Sequence, residues 1–288
     1  MKHYSYYPGC SAEATAIPLG ISVTAIAKEL DIDLAELEDW NCCGSTPYHS
    51  VNKLEAGAMA ARNLALAEKT GLDLVTPCSN CYVVLQSVNN YMKELPRYRE
   101  QIGEALGAAN LSYSGGVKVR HLAEVLYTDI TPEVIASKVT KPLKGLKVAA
   151  YYGCQLVRPN GFDDPESPHS LDEMVTSLGA ETVDWEMKAR CCGSSLVMPE
   201  QEIALGLVNK LLKNATENGA ECLITPCPLC QINLDAYQSV VNSQFKTKYN
   251  IPVLFVTQLI GVAMGIPAKE LALSGNIVSP MKVLAPYL

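Results

Sequence analysis

The chain has 288 residues, 48% of them apolar and 18% charged, with a net charge of −7. That composition belongs to a folded globular protein and excludes a disordered chain, and the acidic balance without a basic run excludes a nucleic-acid surface. The length is about twice the common domain size, so two domains are the natural expectation.

The opening residues, Met1 to Cys10, lack the charged-then-apolar build of a signal peptide, which predicts a cytoplasmic protein. His3 to Tyr7 reads as a strand, with Cys10 just beyond the Pro8-Gly9 turn at its end. A helix follows over Pro18 to Leu30, with Ile17, Ile21, Ala25 and Leu30 near helical spacing. A short segment around Leu34 to Trp40 leads into Cys42-Cys43-Gly44-Ser45. The pattern Leu54, Ala58, Ala61, Ala65 marks an amphipathic helix from Asn52 to Lys69, with Gly71 as its left-handed cap. Asp73 to Thr76 is a short buried strand halted by Pro77. Cys78 to Leu95 is then a helix whose N-terminus carries Cys78-Ser79-Asn80-Cys81, where the positive end of the dipole favours thiolate. Pro96 ends that helix, Arg97 to Leu106 forms another, Val117 to Arg120 is a strand, and Thr131-Pro132-Glu133 starts a further helix.

Lys141 to Gly145 is the expected boundary, giving domains over residues 1–143 and 144–288. The second half replays the order. Leu146 to Tyr152 is a strand ending at Cys154, and Ser170 with Glu173 suggests a capping box for a helix to Leu178. Glu181 to Asp184 is a strand leading to Cys191-Cys192-Gly193-Ser194. Ile203, Leu207, Leu211 and Ala215 repeat the amphipathic helix, with Gly219 as cap. Cys222 to Thr225 is the buried strand, Cys227 to Val241 the helix bearing Cys227-Pro228-Leu229-Cys230, and Val253 to Val256 takes the role of Val117 to Arg120. The longest apolar run, Val253 to Ile266, is interrupted by Thr257 and Gln258 and falls short of the roughly 18 to 20 residues that cross a bilayer, so no direct membrane insertion is expected. Strands alternating with helices predict an α/β protein of two similar halves, each a small, mostly parallel sheet flanked by helices, with ligands at the strand ends.

Ten of the 11 cysteines fall into two frames of the same order: Cys10, Cys42, Cys43, Cys78, Cys81 and Cys154, Cys191, Cys192, Cys227, Cys230. In a reducing cytoplasm such cysteines are metal ligands or redox thiols rather than structural disulfides. Tetrahedral zinc and a cubane [4Fe–4S] cluster each take four ligands, so one thiol per frame is in excess. Adjacent cysteines have Cα atoms about 3.8 Å apart, so both thiolates reach one polynuclear cluster only by serving neighbouring irons or bridging two. Gly44 and Gly193 let the backbone turn tightly beside it. A structural zinc with a spare thiol, in one half or both, and metal-free dithiol exchange remain as alternatives. Cys222, outside both frames, reads as a core residue. His3, His49, His121 and His169 follow no ligand spacing and read as structural or surface residues, with His49 the one nearest a frame.

The two frames resemble the duplicated cysteine-rich CCG domain, and the whole chain, including Phe162-Asp163-Asp164-Pro165, is similar to the B-subunit family of heterodisulfide reductases. CCG domains also occur in subunits of fumarate, succinate, glycerol-3-phosphate and lactate oxidoreductase complexes. The resemblance implies one noncubane [4Fe–4S] cluster on each five-cysteine frame and two halves related by a pseudo-twofold axis. It also implies a disulfide substrate, CoM-S-S-CoB in methanogens, held between the clusters and cut to two thiols. Electrons would arrive through an iron–sulfur C subunit from a flavin-containing A subunit. The alternative is a CCG electron-transfer subunit of another respiratory or bifurcating complex. An anionic disulfide needs cationic partners, for which Arg158, Lys188 and Arg190, beside the second frame, are the candidates.

Overall fold

Short β-prone runs, each stopped by a turn before a cysteine, form the strands, and the longer amphipathic stretches between them form the crossover helices. The computed structural model describes residues 1–288, the side chain of Thr46 excepted. The first half runs β1 (Lys2–Tyr6), α1 (Cys10–Glu13), α2 (Ile17–Glu29), β2 (Ile32–Glu36), α3 (Ser45–Val51) and α4 (Lys53–Glu68). It continues with β3 (Leu74–Thr76), α5 (Ser79–Glu94), α6 (Pro96–Ala108), β4 (Val119–His121), α7 (Leu122–Val125), a π turn over Leu126–Ile130, and α8 (Pro132–Ser137). The second half runs β5 (Lys147–Ala150), α9 (Ser170–Ser177), β6 (Glu181–Thr182), a 3-10 turn over Ser194–Leu196, and α10 (Gln201–Glu217). Then come β7 (Cys222–Thr225), α11 (Pro228–Ala236), α12 (Gln238–Phe245), β8 (Val253–Phe255), α13 (Val256–Ala263) and α14 (Met281–Leu284). The sheets have the orders β2-β1-β3-β4 and β6-β5-β7-β8, and every neighbouring pair is parallel. The α/β class and its duplication are as the sequence predicts. Among the described residues no helix is long and apolar enough to cross a membrane.

Each sheet packs one face against a core shared by both halves. That core joins Tyr4, Leu19, Val23 and Ile26 to Val148, Tyr152, Phe255 and Leu259. Helices α2 and α13 meet across the junction, where the hydroxyls of Ser22 and Thr257 lie 2.6 Å apart and buried. The opposite face of each sheet carries its own smaller core, and both of these contain cysteines: Cys43, Cys78 and Cys81 with Tyr7 and Leu64 in one, Cys192, Cys227 and Cys230 with Tyr151 and Leu211 in the other.

Several local expectations change. The Leu34 to Trp40 segment begins inside an edge strand, β2, which runs from Ile32 to Glu36 and pairs with β1. The Ser170–Glu173 capping box does not form: His169 is the N-cap residue of α9 and the Ser170 hydroxyl has no partner among the described residues. Other acceptors take over, since Asp163 accepts the amides of His169 and Ser170 while the Tyr152 hydroxyl accepts those of Leu171 and Asp172. The strand expected to Asp184 pairs only over Glu181–Thr182. The second CxxC helix breaks at Tyr237, beyond which the Gln238 amide spans from the carbonyl of Leu234 to that of Ile251. Helix α2 buries Leu19, Val23, Ile26 and Ala27 rather than the face begun by Ile17 and Ile21, and Leu54 and Ile203 are likewise exposed. A helix with apolar residues on more than one side takes the orientation its neighbours dictate.

The first sheet is pinned at β4 by Arg120, which is 5% exposed. Its guanidinium donates to Glu124 at 2.8 Å, to Thr128 at 2.8 Å and to both oxygens of Asp129 at 2.7 and 2.8 Å, while Tyr4 donates to Asp129 at 2.6 Å. These bonds, the Arg120 pair first, hold the Asp129 carboxyl well below the usual carboxylate range. Its stabilising effect is therefore complete above the ordinary carboxylate pKa and is lost as pH falls through the lower folded value. Replacing Arg120 with Ala strands Asp129 and Glu124 at the sheet end and is expected to cost about 3–5 kcal/mol in chemical denaturation. A loss below about 1 kcal/mol would mean that the network behaves like a surface ion pair.

Candidate metal centre

In an open parallel sheet the ligand crevice lies at the carboxyl ends of strands, where the strand order reverses. Here the reversal falls between β1 and β3, and between β5 and β7. Cys10 and Cys78 follow the first pair of strands, Cys154 and Cys227 the second pair, and the Cys-Cys pairs enter after β2 and β6. Topology thus gathers all five cysteines of each frame at one sheet edge. Cys78 and Cys227 are the N-cap residues of α5 and α11, so their sulfurs lie at the positive end of the dipole, where the amide of Cys81, and those of Cys230 and Leu229, hydrogen-bond to them and favour thiolate.

Within the first frame Cys10 and Cys42 have sulfurs 3.8 Å apart, and Cys43 and Cys81 3.5 Å apart. Cys192 and Cys230 repeat the 3.5 Å contact in the second. Proton sharing also pairs Cys154 with Cys191 and, across the junction, Cys78 with Cys227, so eight thiols from Cys10 to Cys192 interact in sequence through both frames, with the Cys154–Cys191 pair as a separate one. The thiols run as a chain of pairs; among the described residues no three His, Cys, Asp or Glu side chains surround a single point as a lone metal ion needs. Cys10 and Cys191 are exposed, Cys42 and Cys154 half-buried, and the other six buried.

Proton sharing along this array separates the thiols. The Cys42 thiol is pulled down to about 2 by hydrogen bonds from Cys10 and then Cys43, and Cys10 rises as its donor. Cys191 is pulled down to about 6 by Cys154, which rises in turn. The array therefore carries negative charge on part of its sulfurs and holds protons on the rest, the state a polynuclear cation would relieve.

The backbone leaves room for such a group. Gly9 and Gly153 both have positive φ, and a Cβ on either would stand 3.1 Å from a CxxC sulfur, Cys81 or Cys230 respectively. Backbone amides of Ser45 and Gly193 donate to Cys43 and Cys191 sulfurs at 3.4 and 3.3 Å. Five thiols, amide donors and a glycine cradle per half fit an anionic metal–sulfur cluster.

Two buried tyrosines position the Cys-Cys segments. Tyr7 donates to the Asn41 carbonyl at 2.9 Å and Tyr151 to the Arg190 carbonyl at 2.7 Å, in each case the residue before the pair. Both stand three positions before the first cysteine of their frame, Cys10 or Cys154, within the Tyr-Tyr doublets Tyr6-Tyr7 and Tyr151-Tyr152. Asn63 and Asn233, which bind the Asn41 and Cys192 carbonyls at 2.8 and 2.7 Å, have no counterpart in the repeat and were not legible from it.

Other sequence candidates lie around the array. Arg158 donates to the carbonyls of Pro165 and Ala189 and pairs with Glu166, and Lys188 pairs with Asp172 at 3.1 Å, so both already hold the loop after Cys154 in place. Arg190 is exposed. Asp163, from the Phe162-Asp163-Asp164-Pro165 stretch, accepts the α9 amides. Cys222 is fully buried in β7, its thiol pushed up to about 12 by burial and then by Glu221. His121, buried at the end of β4, caps α7 and lies 3.3 Å from the Ser79 hydroxyl inside the first CxxC.

The cysteine-rich CCG domain matches this chain twice, over residues 4–86 and 148–235. The membrane anchor subunit of the 8-methylmenaquinol:fumarate reductase of Wolinella succinogenes is 40% identical over 98% of this chain and 99% of its own. The B subunit of the ferredoxin/F(420)H(2)-dependent CoB-CoM heterodisulfide reductase of Methanosarcina acetivorans is 32% identical over 99% and 97%. A protein of Archaeoglobus profundus, described as like the B subunit of heterodisulfide reductase, is 33% identical over 97% and 96%. A crystal structure of a hypothetical protein from Helicobacter pylori shares the fold, with a TM-score of 0.80 at 16% identity over 96% of this chain and 52% of that one. With both cysteine frames intact and both halves matched, the chain belongs to the CCG cysteine-rich family that includes the B subunits of heterodisulfide reductases.

Proposed function

We propose that this protein is an iron–sulfur subunit of an oxidoreductase complex and handles electrons in a reductase of the quinol–fumarate type. One noncubane [4Fe–4S] cluster is assigned to Cys10, Cys42, Cys43, Cys78 and Cys81, and a second to Cys154, Cys191, Cys192, Cys227 and Cys230. The observation that carries this reading is the gathering of five thiols at each sheet edge, with paired sulfurs 3.5 to 3.8 Å apart and the two sets coupled through Cys78 and Cys227. Five thiols per frame exceed the four that one zinc takes, which suits a polynuclear group better. The fumarate reductase type is supported by the 40% likeness over nearly full length.

When bound, the clusters supply one-electron redox chemistry. The chain's own residues set the site: Tyr7, Tyr151, Asn63 and Asn233 fix the Cys-Cys segments, and the α5 and α11 N-termini stabilise negative charge on sulfur. The protein is assigned to the cytoplasmic side, with residues 1–143 and 144–288 as the two cluster-bearing units.

The second reading is the catalytic B subunit of a heterodisulfide reductase, cutting CoM-S-S-CoB or a related disulfide between the clusters. Its partners would be the iron–sulfur C subunit and the flavin-containing A subunit. The facing of the two frames across the junction favours it, since each sulfur of a disulfide would have its own cluster.

Protein purified without oxygen is expected to hold about eight irons and matching sulfide. Stoichiometric zinc with negligible sulfide would instead select the zinc alternative. Cys43→Ala and Cys192→Ala should each disturb one cluster signature in electron paramagnetic resonance and largely spare the other, while Cys222→Ala leaves both intact. An undisturbed spectrum in the first two variants would make the fifth thiol spare and the cluster an ordinary cubane.

The two readings separate on thiol products. In a disulfide reductase, coenzyme M and coenzyme B added to oxidised protein shift the resonances of both clusters. In the quinol–fumarate type neither thiol shifts them, and a shift of both would transfer the assignment to the disulfide reading.

A further inference from the structure

Beside the thiol array lies a cavity of about 650 Å³, within the usual range for small-molecule sites. One wall is α5, the helix that begins at the first CxxC, through Val83, Val84, Ser87 and Tyr91; the opposite wall is the loop after Cys154, through Gln155 and Pro159. The cavity therefore lies between the segments that follow Cys81 in the first frame and Cys154 in the second. Asn80, inside the first CxxC, donates to Gln155 at 3.0 Å and ties the two walls together.

The lining is mainly apolar and aromatic. Tyr91 and Tyr98 meet edge to face with centroids 5.9 Å apart. Tyr98 can lie there because residue 57 is glycine: a Cβ at that position would come within 1.9 Å of its hydroxyl. Against this wall stands one unused polar group. Nε2 of His49 is buried and has no hydrogen-bond partner among the described residues. An apolar rim surrounds the cavity, with Tyr91 46%, Leu95 48% and, between lining residues His49 and Lys53, Val51 81% exposed.

We propose that this cavity binds the ring of a prenylated quinone or quinol, with His49 Nε2 hydrogen-bonded to a ring oxygen and the prenyl tail leaving over Tyr91, Leu95 and Val51. The inference rests on the quinol–fumarate reading and adds a site to it. Aromatic walls suit a flat ring, and a buried acceptor or donor without a partner is costly unless a ligand supplies one. The chemistry is poorly matched to a disulfide bearing sulfonate and phosphate. Arg158, which also lines the cavity, is committed to Pro165, Ala189 and Glu166, leaving Lys53 as the other cationic lining residue.

The test is a fluorescence titration of the anaerobically purified full chain with 2-heptyl-4-hydroxyquinoline N-oxide, a fluorescent quinol analogue whose emission is quenched on binding. One site per chain is expected. Ser87→Trp, which fills the cavity from a half-buried position, should abolish quenching, and His49→Leu should weaken binding about tenfold. Ile21→Ser, on the far surface of α2, should change neither. Circular dichroism checks that each variant is folded, and His49→Leu decides the matter if Ser87→Trp is not. Unchanged affinity in folded Ser87→Trp or in His49→Leu overturns the proposal, as does displacement of the analogue by CoM-S-S-CoB at lower concentration than by menaquinone-1. Iron content measured on the same sample keeps the two claims apart. Iron-loaded protein that binds no analogue rejects the cavity alone, whereas binding by iron-free protein retains the cavity and rejects the iron–sulfur reading.

Discussion

The structure depends on crowding of negative sulfur at one place. Two thiolates 3.5 Å apart, the Cys43–Cys81 and Cys192–Cys230 spacing, repel by roughly 5 kcal/mol at an effective dielectric constant of about 20. Ten such groups cannot all ionise together without a compensating cation. The array responds by sharing protons, with Cys42 and Cys191 low and their neighbours Cys10 and Cys154 high. Other features follow from that demand: cysteines at strand ends, helix N-terminal amides at their sulfurs, and Gly9 and Gly153 opening the space beside the CxxC sulfurs.

Such a site also needs a stiff frame, because small shifts would separate the thiol pairs. The two halves supply it by sharing one core rather than touching at a wet interface. Helices α2 and α13 bury the inner faces of both sheets together, and the Ser22–Thr257 hydrogen bond satisfies the polar groups caught between them. The outer faces are free to carry the cysteine-bearing cores. This division explains why duplicated sequence yields a single body in which Cys78 of one half meets Cys227 of the other.

The departures from duplication are informative as well. His121 and Phe255 occupy equivalent ends of β4 and β8, opposite Thr76 and Thr225. The first half thus has a buried imidazole, held down to about 4 by burial, where the second has an apolar ring. The cavity between α5 and the Cys154 loop also belongs to one side of the pseudo-twofold axis. On the first-half side both asymmetries lie beside the first CxxC helix, His121 against Ser79 and the cavity along Val83 and Ser87.

Much of this was present in the residue order. The repeated five-cysteine frame, the strand before each of Cys10, Cys78, Cys154 and Cys227, and the helix after each CxxC are properties of spacing and turn chemistry, which act over a few residues along the covalent chain. The same is true of the left-handed glycines at 71 and 219. Local pattern could not say which side of α2 faces inward, because Ile17 and Ile21 look as suitable as Leu19, Val23 and Ile26 until α13 arrives. Nor could it reveal that Asp163 and Tyr152 would replace Ser170 in capping α9, or that Arg158 and Lys188 would be consumed by their own loop. Those outcomes depend on how loops and helices settle against one another rather than on pattern within one element, so only tertiary packing decided them; the two five-cysteine frames were written in the order of the residues.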